Sequence, residues 1–420
     1  MIDIKRARAD IAAYKQNIKD RNLKIDFDEF LTLEEEKNAL SRKIDELRNT
    51  KNVVSKEIPT LDAEKRQEKI IEMKTLWGEL EKLEEKYKPL EEKYVYILHR
   101  LPNFLDPTAA IGDDDSGNKA VEFFMEKTSF DFIPKNHWEI WEANNWIDLE
   151  KWAEVAGARF WYLKGELALL NMAIINYAIS FLTQKGFEFI IPPYMVKEAS
   201  LFGTGFLPAG EDGVYAVNPW EDDLFLIGTS EIPLTSYHMN ETIDLEKPKL
   251  YFGYSPCFRR EAGSYGKDMK WILRGHQFEK VEMVVFCKPE ESQKMHDMMV
   301  DVEENIWQSL KIPYQKLNVC SGDLGNPAMK KYDLEAWMPG QEKYREITSC
   351  SNIGDFQSRR LGIKYVNSEW KKDFVHTLNG TVIALSRCLI AIMENYQTHD
   401  GKVMIPEVLQ PFMGGKTMIW

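Results

Sequence analysis

The sequence has few cysteines, and none of them is spaced as part of a zinc site. Its 420 residues include five cysteines, an odd number at wide intervals, with no Cys-x-x-Cys pair and no histidine–cysteine spacing that suits zinc. Cysteines used in this way are typical of proteins in a reducing compartment, where disulfides are rare. We therefore expect a cytoplasmic protein that holds no zinc.

Long apolar runs are also missing. Residues 1–10 contain no apolar core of the kind that a signal peptide needs, so nothing suggests secretion. The longest apolar run, from Leu167 to Leu182, is interrupted by two asparagines and a serine. It is too short and too polar for a membrane span, and a buried helix is expected instead. With a mean hydropathy of −0.41, the chain should be a soluble globular protein with no membrane partner.

An excess of basic charge is absent as well. The net charge is −13 at pH 7, which does not favour a general nucleic-acid binder. Residues 1–100 carry 22 basic and 22 acidic side chains, so the excess negative charge falls entirely on residues 101–420. Any contact with RNA should therefore be made by the N-terminal part of the chain, through local clusters of basic residues.

What the sequence does have is a heptad pattern near its start. Residues 28–58 and 63–100 carry apolar side chains in seven-residue series such as Leu33, Leu40, Leu47 and Val54 in the first stretch and Met73, Leu80, Tyr87 and Tyr94 in the second. Pro59 separates the two stretches, which predicts an antiparallel coiled-coil hairpin about 45 Å long. Pro89 is expected to kink the second helix, and residues 1–24 predict one further short helix.

Basic residues cluster near the turn of this hairpin. The cluster consists of Arg48, Lys51, Lys56, Lys65, Arg66 and Lys69. These side chains could contact RNA phosphates, with an affinity that falls as salt rises. They could equally form a solvated face paired with neighbouring acidic residues. The heptads alone are also compatible with a purely structural or dimerising coiled coil.

The composition changes after the hairpin and indicates three regions. Residues 1–102 are expected to form the helical arm, residues 103–120 a linker rich in Asp, Gly and Pro, and residues 121–420 a separate domain. In the last region, strand-like and helix-like segments alternate irregularly, which indicates an α+β fold rather than repeated βαβ units. We find no internal repeat and no low-complexity segment.

The most informative stretch runs from Cys257 to Glu282 and is expected to be a strand, a loop and a returning strand that begins near Ile272. The guanidinium of Arg259 suits a phosphate held by two hydrogen bonds. The ring of Phe278 could cover a flat base, and Glu282 could accept a hydrogen bond from a small polar substrate. A charged surface hairpin with ordinary cross-strand ion pairs would fit the same residues.

Residues 225–231 run from an apolar strand into small polar residues. Thr229 and Glu231 could bind an ammonium group through charge-assisted hydrogen bonds. Thr229 or Ser230 could instead cap the start of a helix. Farther along the chain, Glu346 and Ser349 offer the oxygen ligands that Mg²⁺ accepts while it keeps several waters, although such residues are more often solvated or capping.

Residues 378–387 predict a strand-to-helix turn. Backbone donors at Asn379-Gly-Thr381 and the positive end of the helix would face an anion, with Arg387 two turns into that helix. Read alone, Arg387 would be an ordinary surface arginine. Because Val382 is bulky, we expect it to narrow the neighbouring pocket.

These segments together resemble the class II aminoacyl-tRNA synthetases, in the form used by seryl-tRNA synthetases. FRREAGS followed by LRGHQFEKVE is similar to motif 2 of that family, with Trp271 where the family usually has glycine. The segment from Leu163 to Pro193 resembles the dimer-forming motif 1, and residues 378–397 resemble motif 3. The resemblance implies an antiparallel sheet with flanking helices, a coiled-coil arm that binds tRNA, and a homodimer.

The resemblance also implies the reaction and its residues. Serine is activated with ATP to seryl-adenylate and transferred to the 3′ end of tRNA(Ser), and whether tRNA(Sec) is a second acceptor stays open. The implied catalytic residues are Arg259, Glu261 and Arg387. The implied serine-binding residues are Thr229, Ser230, Glu231, Arg259, Glu282, Asn379 and Thr381. The implied ATP-binding residues are Arg259, Arg260, Glu261, Phe278, Glu346, Ile347, Thr348, Ser349 and Arg387, with Mg²⁺ held by Glu346 and Ser349.

Two other classes of protein stay open at this point. One is a ligase that aminoacylates a carrier protein, whose relatives lack the long arm. The other is a non-catalytic paralogue that binds tRNA without using ATP, against which Arg259, Glu282, Glu346 and Arg387 argue.

Overall fold

We analysed a computed structural model of the chain, which describes residues 1–218, 220–261 and 272–419. Two compact units are present. One comprises residues 1–22 together with the chain from Pro102 onwards, and the other comprises residues 23–101. Residues 1–22 thus group with the larger unit, whereas the boundaries at residues 102 and 120 that the composition suggested stay a prediction.

The helices and strands are as follows. The α-helices are α1 Ile4–Ala9, α2 Ile11–Asp20, α3 Phe27–Glu57, α4 Ala63–Leu98, α5 His137–Asn144, α6 Leu149–Val155, α7 Gly165–Gln184, α8 Glu198–Thr204, α9 Glu231–Ser236, α10 Ser292–Ser309, α11 Phe356–Leu361 and α12 Leu385–Asn395. The strands are β1 Lys119–Phe124, β2 Ile147–Asp148, β3 Tyr162–Leu163, β4 Glu188–Ile190, β5 Met195–Val196, β6 Tyr215–Val217, β7 Leu224–Leu226, β8 Lys249–Phe258, β9 Gln277–Cys287, β10 Tyr314–Asn318, β11 Lys330–Met338, β12 Lys343–Gly354, β13 Lys364–Val366, β14 Lys372–Phe374, β15 His376–Ala384, β16 Val403–Met404 and β17 Met418–Ile419.

The smaller unit is the predicted helical hairpin. Helices α3 and α4 run antiparallel, since Lys93 near the end of α4 pairs with Glu29 near the start of α3 at 2.5 Å. Most of the buried apolar residues of these two helices fall on the heptad series, and they include Leu33, Val54 and Met73. A short 3₁₀ turn containing the predicted break separates the helices, and α4 continues through its internal proline. The coiled-coil prediction is therefore confirmed.

The first residues form two short helices instead of the single helix that we predicted. Asp10 stands between α1 and α2, and its side chain accepts a hydrogen bond from the backbone N–H of Ala13 at 2.9 Å. An aspartate that caps a new helix interrupts the preceding one, because its backbone leaves the helical conformation. Helix α2 packs within the larger unit, where the hydroxyl of Tyr14 donates to the carbonyl of Pro102 at 2.7 Å.

The larger unit is built on one eight-stranded sheet. The strand order is β1-β10-β11-β12-β15-β9-β8-β4, with antiparallel pairing everywhere except between β4 and β8. Helices α7, α10 and α12 cover one face and bury the main core against it. On the other face, α9 and α11 pack near the β8 end. Among the residues that the structure describes, the rest of that second face carries a pocket, and we call this part the open face; the confirmed α+β sheet thereby presents a platform for a site.

Helix α7 is long and apolar enough to cross a membrane, judged by length and composition. Its side chains Leu167, Ile174 and Leu182 are fully buried in the main core. A core helix of a soluble domain passes the same test, and the buried face confirms the predicted buried helix. All five cysteines are buried and unpaired as thiols.

The predicted strand–loop–strand is present as β8 and β9, which pair directly from Lys249 opposite Phe286 to Phe258 opposite Gln277. The second strand begins at Gln277, not near Ile272 as predicted, because Ile272 lies in a turn. Trp271, where the sequence departs from the motif, lies outside the described residues.

The segment that resembles motif 3 differs from the expected turn. Asn379 and Thr381 lie inside β15 rather than in a strand-to-helix turn, and their strand pairs with β9. Arg387 is in the first turn of α12, not two turns in. Val382 is fully buried in the main core on the helix-covered face, so the expectation that it narrows the pocket was wrong.

Candidate active site

One pocket on the open face of the sheet gathers many of the predicted residues. Its lining includes Arg259, Glu261, Phe278, Glu346, Ile347, Thr348, Ser349, Thr381 and Arg387. Strands β9, β12 and β15 lie next to each other in the sheet, and this order brings together residues that are about 100 positions apart in sequence. The site is therefore a product of sheet topology rather than of any one segment.

Arg259 stands at the end of β8 in a fixed position. Its Nε donates to the carbonyl oxygen of Gly228 at 3.1 Å, and its guanidinium lies 5.2 Å from the ring centre of Phe278. The backbone N–H of Arg259 also donates to the carbonyl of His276 at 3.0 Å, which ties together the two sides of the loop between β8 and β9. The terminal nitrogens of this guanidinium are thus aimed by contacts at Nε and at the backbone, as binding of an anion requires.

The residues that follow Arg259 point in different directions. Arg260 lines a separate pocket with Tyr215 and Phe225, so the structure does not bring it into the main pocket. Glu261 does line the main pocket, where its carboxylate lies 3.5 Å from the guanidinium of Arg274. Its φ of +50° is a left-handed backbone conformation that a glutamate adopts only under local constraint.

Glu346 and Ser349 face the same side of the sheet because β12 contains a bulge. Glu346 pairs with Glu335 and Thr348 pairs with Leu334, so Ile347 is an extra residue without a partner opposite. The hydroxyl of Thr348 donates to Glu303 on the helix-covered face at 2.7 Å. Ile347 and Thr348 therefore direct their side chains away from the pocket.

Cations surround Glu346. Arg387 donates to the backbone carbonyl of Glu346 at 2.9 Å and lies 3.2 Å from its carboxylate. Burial opposes ionisation of Glu346, but the charges of Arg387 and Lys331 outweigh it and hold the pKa of Glu346 below its ordinary value. An ionised carboxylate beside a hydroxyl on the same face is a donor set that fits Mg²⁺, an ion that keeps several waters. No cluster of three or more His, Cys, Asp or Glu side chains suited to a metal occurs within residues 1–218, 220–261 and 272–419.

A second group of polar side chains surrounds Glu231 at the start of α9. Asn379 donates to its Oε1 at 2.9 Å, and Gln357 donates to the same oxygen at 2.7 Å. Burial and then the negative charge of Glu282 raise the pKa of Glu231 to about 7. Two carboxyl groups close together in a half-buried site favour the binding of a cation.

Thr229 makes the capping contact that was one of the two alternatives considered from the sequence, and a binding role stays a prediction. The hydroxyl of Thr229 accepts from the backbone N–H of Glu231 at 3.1 Å, which is a local capping contact at the start of α9. Ser230 is fully buried, with its hydroxyl 3.5 Å from the carbonyl of Gly253. Thr229 keeps a hydroxyl proton for a further contact, so capping does not exclude a binding role.

Glu282 and Thr381 complete this group from neighbouring strands. They stand opposite each other in the sheet, and the hydroxyl of Thr381 donates to Glu282 Oε2 at 3.0 Å. Sequence reasoning missed two polar residues here, Lys280 and Gln357. The ammonium of Lys280 forms an ion pair with Glu282, and the Lys-Val-Glu spacing within a strand could have revealed this shared face.

The basic cluster of the arm is partly engaged in ion pairs within the arm. Arg48 pairs with Glu84 at 2.7 Å, Lys65 with Asp62 at 3.3 Å and Lys69 with Glu72 at 2.7 Å, and Lys51 lies 4.1 Å above the ring of Trp77. These exposed contacts are weak and exchange easily with phosphate. A role for Arg48, Lys51, Lys56, Lys65, Arg66 and Lys69 in tRNA binding stays a prediction.

The largely antiparallel sheet, with an arginine at the β8–β9 hairpin and carboxylates on the adjacent strands, defines a class II aminoacyl-tRNA synthetase. Residues 215–396 match the class II core domain of the tRNA synthetases for G, H, P, S and T, and residues 1–105 match the seryl-tRNA synthetase N-terminal domain. The chain belongs to the seryl-tRNA synthetase family, whose members are ATP-using aminoacyl-tRNA ligases.

Full-length relatives agree with this assignment. A serine–tRNA ligase of Dictyoglomus turgidum is 42% identical over 419 residues, covering 99% of this chain and 98% of the relative. The seryl-tRNA synthetase of Pyrococcus horikoshii, solved in complex with ATP, has a TM-score of 0.88 and 39% identity, covering 100% of this chain and 99% of that chain. The cytoplasmic enzyme of Naegleria fowleri, solved with AMP, has a TM-score of 0.82 and 34% identity, covering 97% and 95% of the two chains.

Proposed function

We propose that the open face of the sheet binds serine and ATP side by side and joins them as seryl-adenylate. The observation that carries this proposal is a division of charge across one surface. Glu231 and Glu282 provide carboxylates at one end, whereas Arg259 and Arg387 provide guanidinium groups at the other. A small zwitterion bearing a hydroxyl and a nucleotide bearing phosphates are complementary to these two ends.

In the proposed complex, the serine ammonium lies against Glu231 and the Thr229 hydroxyl, with Asn379 and the buried Ser230 supporting them. The serine hydroxyl lies between Glu282 and Thr381. Both carboxylates already have protein donors on one oxygen, and these contacts limit their rotation. A hydroxyl that fills a buried acceptor site is selected strongly, since an amino acid without it leaves that acceptor unpaired.

ATP would extend from Phe278, which stacks on adenine, to Arg387, which contacts the γ-phosphate. Arg259 would contact the α-phosphate and the serine carboxylate, with Glu261 at the edge of the pocket and Ile347 and Thr348 contributing backbone groups. Glu346 and Ser349 would hold Mg²⁺, which when bound would neutralise charge on the phosphates. The relative from Pyrococcus horikoshii was solved with ATP, which supports a nucleotide site in this fold.

No side chain needs to act as a nucleophile in this reaction. An oxygen of the serine carboxylate attacks the α-phosphorus, a new P–O bond forms, and the bond to the bridging oxygen breaks to release pyrophosphate. A ribose hydroxyl at the 3′ end of tRNA then attacks the carbonyl carbon, and AMP leaves. Arg259 would hold the attacking carboxylate in line and offset the charge that develops on the α-phosphate.

The arm is proposed to bind tRNA(Ser) through its basic cluster, and tRNA(Sec) is a second candidate acceptor. Free, buried cysteines support a cytoplasmic location. A homodimer is proposed through α7 and β4, because β4 is an edge strand and apolar side chains are exposed around it. Ile191 is 70% exposed and Leu169 is 57% exposed, and apolar side chains exposed beside an edge strand are suited to contact with a second copy of the chain.

The decisive experiment is serine-dependent exchange of pyrophosphate into ATP, with alanine, glycine and threonine measured alongside. We expect exchange with serine, and rates lower by about 10⁴-fold for alanine and glycine, because these lack the hydroxyl. Threonine retains a hydroxyl and tests the size of the pocket. Folded protein that shows no pyrophosphate exchange with any of these amino acids would contradict the proposal and favour a paralogue that only binds tRNA.

A further inference from the structure

A lysine that the reaction described above does not use lies beside the proposed serine site. Lys280 is 7% exposed and Glu282 is 1% exposed, and both project from β9 toward the pocket because they are two residues apart in a strand. Their side chains form an ion pair. A buried lysine of this kind needs a compensating charge, and Glu282 supplies it.

The contacts of Lys280 all converge on one oxygen of Glu282. Its ammonium pairs with Oε2 and also donates to the hydroxyl of Thr381 at 3.3 Å, and that hydroxyl in turn donates to Oε2 at 3.0 Å. Within the part of the chain that the structure describes, Oε1 of Glu282 has no hydrogen-bond donor. The triangle of Lys280, Glu282 and Thr381 therefore fixes the carboxylate and leaves one oxygen available.

We propose that Lys280 is a positioning residue for the selection of serine. It pairs with Glu282 and fixes the rotation of its carboxylate, so that Oε1 is presented to the serine hydroxyl. A neutral donor could orient the carboxylate, but only a cation also offsets the cost of a buried negative charge. This inference rests on the proposed role of Glu282 in binding the hydroxyl.

Lys280 also lines the pocket that contains the phosphate-binding arginines. A lysine in that position could instead contact a phosphate of ATP. The two roles make different predictions. If Lys280 contacts a phosphate, its substitution should change the exchange rate equally for all amino acids. If Lys280 acts through Glu282, its substitution should change the preference for serine over alanine.

The test is a double-mutant cycle between Lys280→Met and Glu282→Ala, with pyrophosphate exchange measured for serine and for alanine. We expect Lys280→Met to raise KM for serine and to lower the serine-to-alanine ratio of kcat/KM by at least about tenfold, with KM for ATP changed by less than about twofold. In the Glu282→Ala background, the same change should leave the ratio unaltered within about threefold, because the group on which Lys280 acts is gone.

A matched control is Lys316→Met. Lys316 is also a largely buried lysine, on the helix-covered face of the same sheet, where it pairs with Glu304 at 2.9 Å. The Lys316→Met variant should be less stable than the wild-type protein, without any change in the serine-to-alanine ratio of kcat/KM. Lys280→Arg, which keeps the charge, should recover most of the selectivity. If Lys280→Met does not fold, Lys280→Gln keeps a donor without the charge and should still lower the ratio.

The outcomes distinguish a failure of this inference from a failure of the proposed serine site. A Glu282→Ala variant with normal selectivity would refute the proposed serine site itself. If Glu282→Ala loses selectivity while Lys280→Met or Lys280→Gln keeps it, the serine site stands and the role of Lys280 is refuted. A rise in KM for ATP at constant selectivity would likewise overturn it and assign the lysine to the nucleotide.

Discussion

Serine binding should be coupled to the loss of a proton from Glu231. Burial, followed by the charge of Glu282, raises the pKa of this carboxyl group to about 7, although hydrogen bonds from Gln357 and Asn379 favour the ionised form. In the proposed complex, the ammonium group of serine pairs with the ionised form of this carboxyl group. Protonated Glu231 must therefore release its proton before serine binds, and affinity should rise with pH.

The size of the effect follows from the fraction of ionised carboxyl. With a pKa of about 7, that fraction is about one tenth at pH 6 and about nine tenths at pH 8, so the affinity for serine should rise roughly tenfold between them. At pH 7, about half a proton should be released for each serine bound. The rise in affinity should end at the pH where the amino group of serine itself loses its charge.

Two measurements test this coupling. One is KM for serine in pyrophosphate exchange at saturating ATP from pH 6 to pH 8, and the other is calorimetry in buffers that differ in ionisation enthalpy. In Glu231→Gln, the pH dependence should disappear and binding should be weak throughout. In Glu282→Gln, the midpoint should move to lower pH, because a neighbouring negative charge has been removed. A flat wild-type profile, or affinity that falls from pH 6 to pH 8, would refute the reasoning.

Three further predictions concern other parts of the molecule. A Cβ added at Gly380 would lie 2.7 Å from Oε1 of the buried Glu303, so Gly380→Ala should lower the free energy of unfolding by about 1–3 kcal/mol, measured with denaturant. The control Gly78→Ala, where nothing lies close to the added Cβ on α4, should be neutral or stabilising. Equal effects of the two substitutions would argue against the contact. Arg387→Ala should raise KM for ATP at least about tenfold in pyrophosphate exchange while KM for serine changes little, and the reverse pattern would reassign it. Ile191→Lys should produce monomers in light scattering if the exposed edge at β4 is the dimer interface, and an unchanged mass would exclude that edge.

The sequence predicted well those features that depend on local pattern. The heptad series located both long helices of the arm, because the period of apolar residues and the proline break are local signals. It was less successful where a single polar residue redirects the backbone, as Asp10 does between α1 and α2. The chemistry of single residues suggested possible roles for them. Their assignment to one site, however, came from resemblance to a family, because most of their short segments were not specific alone.

What local pattern could not supply is the direction of side chains after a bulge. Alternation along a regular strand places residues three apart on opposite faces, so Glu346 and Ser349 should have been separated. The extra residue at Ile347 shifts the alternation by one and returns both to the open face. A second bulge at Val382 does the same in β15, where Val382 and Ile383 both enter the core and Thr381 and Ala384, three residues apart, both line the pocket. Each bulge is defined by the pairing with a neighbouring strand, β11 or β9, so the alternation within one segment does not predict it.

The two bulges also affect how charged side chains are arranged on the open face of the sheet. Each changes the alternation only locally, so Glu282 on β9 shares a face with Glu346 and Ser349 on β12 while core residues stay on the other face. Lys280 and Arg387 then neutralise the nearest carboxylates, Glu282 and Glu346, through separate ion pairs. Because Lys280 and Arg387 pair with different carboxylates, the preference for serine and the affinity for ATP should respond to different substitutions, which is the behaviour that the proposed variants measure.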